Sequence, residues 1–355
     1  MKNHMPSVSD TTPLASESQA AAAQGLLHGV VLAAGGADSL DLLWTWGDAS
    51  VEPARKPMQT QSVFDIASLT KVVATATACG LCLDRGLLDP EAPVSSYFPR
   101  IGEFPGSSIR VCDLATHYSG YNYHSYHEYP AEEILLRAVE SPPDNPPREK
   151  FVYSCRNYLI LGALVEQLSG TDLGTFCARE VFEPLGMSHT AFGSSKLAPE
   201  LLVPSEQPAG VISDAQARQA ERPVGNAGLF SCAEDLSRFA RMILQRGMCG
   251  AKRILGPDAL AWLTRPCSPP GLPPRSFGWD MRPVSECLYR PSRASASAIG
   301  HAGWTGQSLW IDPELGRYVV VLTNRTHCPL DPDNYDTSMR LRARLADLVL
   351  TPSEG

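Results

Sequence analysis

Strand-like segments stand at both ends of this chain and helical ones fill its middle, and that distribution most constrains the fold. Near the start, Gly29-Val30-Val31-Leu32-Ala33-Ala34-Gly35-Gly36 and Leu40-Asp41-Leu42-Leu43-Trp44-Thr45-Trp46-Gly47 read as two strands joined by a Gly-Ala-Asp turn. From Ser276 the strand signal returns, in Phe277 to Met281, Ser308 to Asp312 and Tyr318 to Thr323. Between them lie helical patterns such as Ala131 to Val139, Leu159 to Leu168 and Ala233 to Gln245. Proline-rich loops at 142–147 and 266–274 interrupt them, and an amphipathic helix from about Tyr335 to Leu350 closes the chain. The class expected is α/β of the α+β type: one antiparallel sheet built from both termini, flanked by helices, with a mostly helical lobe inserted between its halves. Residues 25–350 then form a single domain, with 25–66 and about 276–350 as the sheet lobe and about 67–275 as the helical lobe. The Ser/Thr/Ala/Gln-rich residues 1–24 read as a flexible polar tail, and 351–355 as a second tail. A cleft between the lobes is where a small-molecule site is expected.

Bulk properties exclude several functions. A net charge of −8 and a pI near 5.5 argue against nucleic acid, which needs a basic face. No stretch approaches the apolar length of a membrane span, and the first 24 residues lack the basic start and apolar core of a secretory signal. A cytoplasmic protein is the expectation, and the ten cysteines, scattered without a framework spacing, fit a reducing compartment. Cys79-Gly80-Leu81-Cys82 lies well inside a helix, away from the N-terminal dipole that acidifies a redox thiol. No second C-x-x-C completes a zinc site, so inert buried thiols are expected there, with no metal and no cofactor.

Ser68-Leu69-Thr70-Lys71 is the only Ser-x-x-Lys among 33 serines and six lysines. It follows Gln61 to Ala67 and opens the apolar run Val72 to Ala78, which reads as a strand and turn entering a buried helix with the serine in its first turn. Residues three apart share a helix face, so the Ser68 hydroxyl and Lys71 amine can meet. A serine is a poor nucleophile until a base takes its proton, and a desolvated lysine can be that base. Tyr153, in Phe151-Val152-Tyr153-Ser154-Cys155-Arg156-Asn157-Tyr158, stands at a loop-to-helix junction from which a phenol can enter a cleft and shuttle a proton near a lysine. Gly300-His301-Ala302-Gly303-Trp304-Thr305-Gly306 precedes a strand. Its glycines let a substrate approach the backbone, where a free N–H together with that of Ser68 could hold an oxyanion.

In this order, Ser-x-x-Lys, Tyr-Ser-x and His-x-Gly resemble the serine β-lactamase and penicillin-binding-protein superfamily, closest to the class C β-lactamase-like esterases and peptidases. The resemblance runs from about Gly29 to Leu350. It includes Phe64 to Lys71, Leu114-Ala115-Thr116-His117-Tyr118-Ser119-Gly120, Phe182-Glu183-Pro184-Leu185-Gly186-Met187, Gly225 to Ser231 and Gly303 to Ser308. It implies Ser68 as acylated nucleophile, Lys71 as base or electrostatic partner, Tyr153 as proton shuttle, and the backbone N–H groups of Ser68 and Trp304 as oxyanion hole. It places Cys155, His301, Gly303, Asn324 and Arg325 at substrate-binding positions, the last two where a substrate carboxylate is often held. Two departures stand out. Cys155 replaces the usual Asn or Asp, and a thiol is a weak hydrogen-bonding group. His301 replaces a lysine, removing a permanent cation. Both weaken recognition of a penicillin, so poor β-lactamase activity is expected.

Tyr121-Asn122-Tyr123-His124-Ser125-Tyr126-His127-Glu128-Tyr129 reads either as an acyl-binding lip or as an ordered loop of half-buried tyrosines. His124 and His127 without placed carboxylates are a poor metal-ligand set. The expected activity is cofactor-free hydrolysis, through an acyl-Ser68 intermediate, of a small-molecule ester or peptide-like substrate. An acyltransferase using the same intermediate and a catalytically inactive binding module are the alternatives.

Overall fold

The computed structural model describes residues 10–104, 108–327 and 334–350. Strands β1 (Gly29–Gly36), β2 (Leu40–Ser50) and β3 (Lys56–Pro57) come first. Small sheets in the middle are formed by β4 (Phe64–Asp65), β5 (Ala191–Phe192) and β6 (Leu229–Ser231), and by the hairpin β7 (Met248–Cys249) with β8 (Lys252–Arg253). Last come β9 (Ile299–Ala302), β10 (Gln307–Asp312) and β11 (Arg317–Thr323). The main sheet is antiparallel in the order β3-β2-β1-β11-β10-β9, so the first strand pairs directly with the last: Val30 lies opposite Thr323 and Gly36 opposite Arg317. This is the antiparallel sheet from both termini that the strand distribution implied.

Helix α1 (Thr12–Ala23) precedes the sheet. Between its halves run α2 (Thr77–Asp84), α3 (Val111–Ala115), α4 (Ile134–Glu140), α5 (Arg156–Ser169), α6 (Leu173–Cys177), α7 (Glu183–Leu185), α8 (Ala215–Gln219), α9 (Ala233–Leu244) and α10 (Pro257–Thr264). Helix α11 (Tyr335–Asp347) follows it. Alternate residues of the central strands serve two cores. Val30, Leu32, Ala34, Val319 and Val321 pack with Leu14 of α1 and Leu345 of α11. Val31, Ala33, Val320 and Leu322 join the larger core with Phe239 of α9 and the helices of the middle. A sheet covered on both faces explains why β1 and β11 read as unbroken apolar runs. No described helix is long and apolar enough to cross a membrane.

Two expectations are corrected. The stretch 1–24 is not wholly a tail, because residues 12–23 form α1, with Pro13 in its first turn and Leu14 and Ala21 buried. Alanine favours helix intrinsically, and a helix that docks through so few apolar side chains leaves little periodicity to read. Residues 1–9 and 351–355 lie outside the described residues. Phe277 to Met281 is not a strand either. The Ser276 N–H donates to the Trp279 carbonyl, Gly278 takes a φ of +102°, and only isolated bridges join Asp280 to Arg275 and Gly300.

One close approach positions the site. A Cβ on Gly225 would stand 2.0 Å from the Tyr158 carbonyl oxygen, so only glycine lets this loop lie against the start of α5. The next residue, Asn226, is thereby brought to Lys71.

Candidate active site

Ser68 sits on a single 3-10 turn, Ala67–Leu69, between β4 and a π-helical stretch, Lys71–Ala76, that continues into α2. The turn is held independently of the serine hydroxyl. Buried Asp65 accepts hydrogen bonds from the N–H groups of Ala67 (2.8 Å) and Ser213 (2.7 Å), and Ala67 adopts a left-handed φ of +46°. Thr70 Oγ1 donates to the Ala67 carbonyl (2.6 Å) and accepts from the Leu229 N–H (3.1 Å), while Thr305 Oγ1 donates to the Asp65 carbonyl (2.8 Å). A non-glycine residue at positive φ costs of order 1 kcal/mol or more and persists because the surroundings over-determine it.

Lys71 is fully buried and donates to Ser68 Oγ (2.9 Å), the Asn226 carbonyl (2.8 Å) and Cys155 Sγ (3.6 Å). Burial works against its ammonium and negative charge on Cys155 or Tyr153 works for it, so Lys71 is held above the ordinary lysine value when one of those groups is ionised. Burial pushes the Cys155 thiol up, keeping it neutral.

Tyr153 is 36% exposed, and its ring lies 5.2 Å from Lys71 Nζ. Its back is packed by His117, stacked at 4.5 Å between ring centroids. His117 Nδ1 accepts from the Ser154 N–H (3.2 Å) and lies 3.1 Å from Asn157 Nδ2. Asn157 Oδ1 accepts from Ser119 Oγ (2.6 Å), which turns the amide nitrogen toward the histidine and leaves the His117 proton on Nε2. Buried at a φ of +64°, His117 is neutral, held well below the usual histidine range by burial and then by Arg275 and Lys71. Sequence reasoning gave it no role, because nothing in Thr116-His117-Tyr118 signals a ring stacked under a tyrosine.

The third segment meets the serine turn through Gly303, where a Cβ would stand 2.6 Å from the Ile66 carbonyl oxygen. The glycine thus admits the Ser68 turn rather than substrate, and it does not line the cleft. Among the described residues, the backbone N–H groups of Ser68 and Trp304 donate to no protein acceptor. Trp304 is 52% exposed and stacks on Tyr335 at 5.2 Å.

These residues share a cleft of about 630 Å³ whose lining includes Ser68, Tyr153, Cys155, His301 and Trp304. Asn324 and Arg325 do not line it. Asn324 Oδ1 accepts from the N–H groups of His28 and Gly29, and its Nδ2 donates to the carbonyls of Asp48 and Ala49, which ties β11 to β1 and β2. Arg325 donates to the Trp304 carbonyl (2.7 Å) and lies over the rings of Trp304 and Tyr335. The Asn324 amide is thereby fully used, whereas Arg325 Nε has no hydrogen-bond partner among the described residues. From the aromatic run only Tyr123 lines the cleft, 59% exposed. Tyr121 and Tyr126 are buried, His124 pairs with Asp144 (2.8 Å) and His127 with Ser125 (2.5 Å). Arg275, Asp280, Arg282, Asp214 and Glu206 also line the cleft, and no motif marked them.

Among the described residues, the one His/Cys/Asp group with ligand atoms within 4.8 Å of one another is His189, Cys232 and Asp235, outside the cleft. Its carboxylate already accepts from the His189 N–H (2.7 Å) and Thr190 Oγ1 (2.9 Å). Cys79 and Cys82 are buried thiols pushed up by burial, as their place inside a helix implied.

Burial, then Arg275 and Lys71, pushes His301 down to about 3, against 6.5 for a free histidine. The unfolded chain therefore takes a proton that the folded chain refuses as pH falls from 6.5 toward 3. Stability is fully present above that window and declines through it, by up to about 1.4 kcal/mol per pH unit for this ring, with His117 acting in the same sense. His301→Gln should flatten the acid side of a thermal-midpoint-versus-pH curve. An acid side as steep as that of the wild type would show that His301 is not held neutral.

The Beta-lactamase family model matches residues 16–343. The chain is 29% identical over 324 residues to the N-acetylmuramyl-L-alanine amidase of Bacillus subtilis, covering 79% of this chain and 73% of the relative. Among solved structures it superposes on EstCE1, a hydrolase with promiscuous acyltransferase activity, with a TM-score of 0.71 at 21% identity, over 92% of this chain and 96% of the other. It superposes equally, with a TM-score of 0.71 at 19% identity, on the octameric penicillin-binding protein homologue of Pyrococcus abyssi, over 97% and 79% of the two chains. A match along nearly the whole chain, and a fold shared with hydrolase and penicillin-binding-protein structures, lead to one assignment: the chain belongs to the beta-lactamase family.

Proposed function

We propose that this chain is a serine hydrolase that works through an acyl-enzyme on Ser68. Its substrates are carboxylic esters or D-amino-acid peptide and amide bonds, and its action on β-lactams is weak or absent. The observation that carries the reading is the Lys71 Nζ to Ser68 Oγ contact of 2.9 Å at the floor of an open cleft. In this reading Ser68 Oγ attacks the substrate carbonyl carbon and gives its proton to Tyr153, which reacts as a phenolate stabilised by the Lys71 ammonium and becomes a neutral phenol. The N–H groups of Ser68 and Trp304 hold the oxyanion. Tyr153 returns the proton to the leaving group as the carbonyl re-forms. Water then attacks the Ser68 ester, its proton passes through Tyr153 to the serine oxygen, and the acid is released. A neutral His301 and a neutral Cys155 thiol support the low expectation for β-lactams. A cytoplasmic setting belongs to the same reading, supported by free thiols such as Cys79, Cys112 and Cys177 packed in apolar surroundings.

Mixing with p-nitrophenyl acetate, acid quenching and intact-mass analysis tests this. One added acetyl group, mapped to the Ser68 peptide, is expected. An unmodified Ser68 during continuing turnover would refute the acyl-enzyme.

A further inference from the structure

Behind the cleft, a buried cation holds the peptide that carries the Trp304 oxyanion donor. Arg342 of α11 is fully buried, and its Nη1 donates to the Gly303 carbonyl (3.0 Å) and to the Gln307 carbonyl (2.7 Å). Its Nε donates to the Ser338 carbonyl (3.3 Å) and its Nη2 to Met339 Sδ. The Gly303 carbonyl and the Trp304 N–H belong to one trans peptide unit, so they point to opposite sides of the chain. A donor seated on that carbonyl leaves the N–H directed away from Arg342, and Trp304 itself lines the cleft.

Two features set this contact apart from ordinary packing. The carbonyls are satisfied without Arg342, since the Gly306 N–H donates to that of Gly303 (3.2 Å) and the Gly303 N–H to that of Gln307 (2.8 Å). The guanidinium, in turn, has no carboxylate against it among the described residues. It binds carbonyls and a thioether, and the charged or ionisable groups acting on it are Tyr335, Arg325, Tyr289 and Cys287. Burial pushes it down to about 10, so it remains a cation at neutral pH. Removing an unpaired charge from water is costly, and its field is strong in such surroundings. A cation on a carbonyl oxygen draws electron density along the peptide, and the N–H at the other end becomes a stronger donor. Arg325 holds the next carbonyl along, that of Trp304, at 2.7 Å.

We propose that Arg342 is a positioning residue of the oxyanion hole: its guanidinium fixes and polarises the Gly303–Trp304 peptide, so that the Trp304 N–H donates more strongly to the oxygen that turns negative as Ser68 attacks. Arg342 does not line the cleft and acts only through that peptide. The oxygen carries more charge in the transition state than in the bound carbonyl, so the effect falls on the rate of acylation and not on substrate binding. The inference rests on the reading of Ser68 as the acylated nucleophile.

Wild type, Arg342→Met, Arg342→Gln and Arg342→Lys are acylated with p-nitrophenyl trimethylacetate isotopically labelled at its carbonyl carbon, a hindered ester whose acyl group leaves slowly. Infrared difference spectra read the ester carbonyl on Ser68, and stopped-flow release of p-nitrophenolate reads the acylation rate. In Arg342→Met the carbonyl stretch is expected at higher frequency, because a weakened oxyanion hole polarises it less. Acylation should slow about tenfold or more, with the half-saturating substrate concentration little changed. Arg342→Lys, which returns the charge, should recover part of both. Methionine removes an unpaired buried cation and leaves both carbonyls their backbone donors, so the fold should hold. If it does not, Arg342→Gln, neutral but still a donor, gives the same two readings. An unmoved carbonyl band in a folded neutral variant, a change confined to half-saturation, or a lysine variant as impaired as the methionine one would overturn the inference alone. No acyl-Ser68 band in wild type would overturn the hydrolase reading and this inference with it.

Discussion

Ser68→Ala lowers turnover of a short-chain p-nitrophenyl ester by about 10⁴-fold or more, with a thermal midpoint within about two degrees of wild type. The first half follows from chemistry: without Oγ no acyl-enzyme forms, and the oxyanion donors and Tyr153 retain only the modest catalysis available to a directly attacking water. The second half follows from how the turn is built. Asp65, Thr70 and Thr305 hold it, and the serine hydroxyl contributes only its contact with Lys71, which keeps the Asn226 carbonyl as a partner. Parallel steady-state rates and thermal unfolding of the two proteins decide it. A mutant rate within tenfold of wild type removes Ser68 as the nucleophile.

Lys71→Met is expected to reduce turnover about 10³-fold or more while leaving the fold as stable as wild type or more so. Among the described residues Lys71 forms no salt bridge, and its cation is held by a carbonyl, a hydroxyl and a thiol inside an apolar core. Replacing an unpaired buried charge with an apolar chain of similar length removes a desolvation cost, so stability and activity should move in opposite directions. Without the ammonium, the Tyr153 phenol loses the charge that makes it a competent proton acceptor. Denaturant unfolding and ester hydrolysis on one preparation test both halves. A marked loss of stability would mean that Lys71 braces the fold, and an undiminished rate would leave it outside the chemistry.

The sheet was legible because β1 and β11 are apolar on both faces, and an unbroken Val/Leu/Ala run carries its own signal. Helix α1 was not, since a helix docked by Leu14 and Ala21 leaves a polar, Ala-rich sequence that a disordered segment also shows. Phe277 to Met281 has strand composition, but Gly278 turns the backbone and commits Asp280 to two arginines. At the site, Ser68, Lys71, Tyr153, His301 and Trp304 were readable because each sits in a short motif whose spacing reflects local geometry. Asn324 was assigned to substrate from position alone, and position does not reveal that hydrogen bonds with Gly29 and Asp48 already occupy its amide. His117, Arg275 and Arg282 reach the cleft from separate segments by tertiary packing, which no local pattern encodes.

The pairing of Val30 with Thr323 also bears on how the molecule is made. During synthesis β1 emerges early and must wait for β11 before its outer hydrogen-bonding edge is filled, while the helical middle has its local contacts at once. Closing a loop of that length carries a large entropic penalty before any strand contact repays it, so sheet completion is expected to be the slow step of folding. Until then an apolar strand edge remains open to pairing with other chains, and the nascent protein is more exposed to aggregation than the finished one.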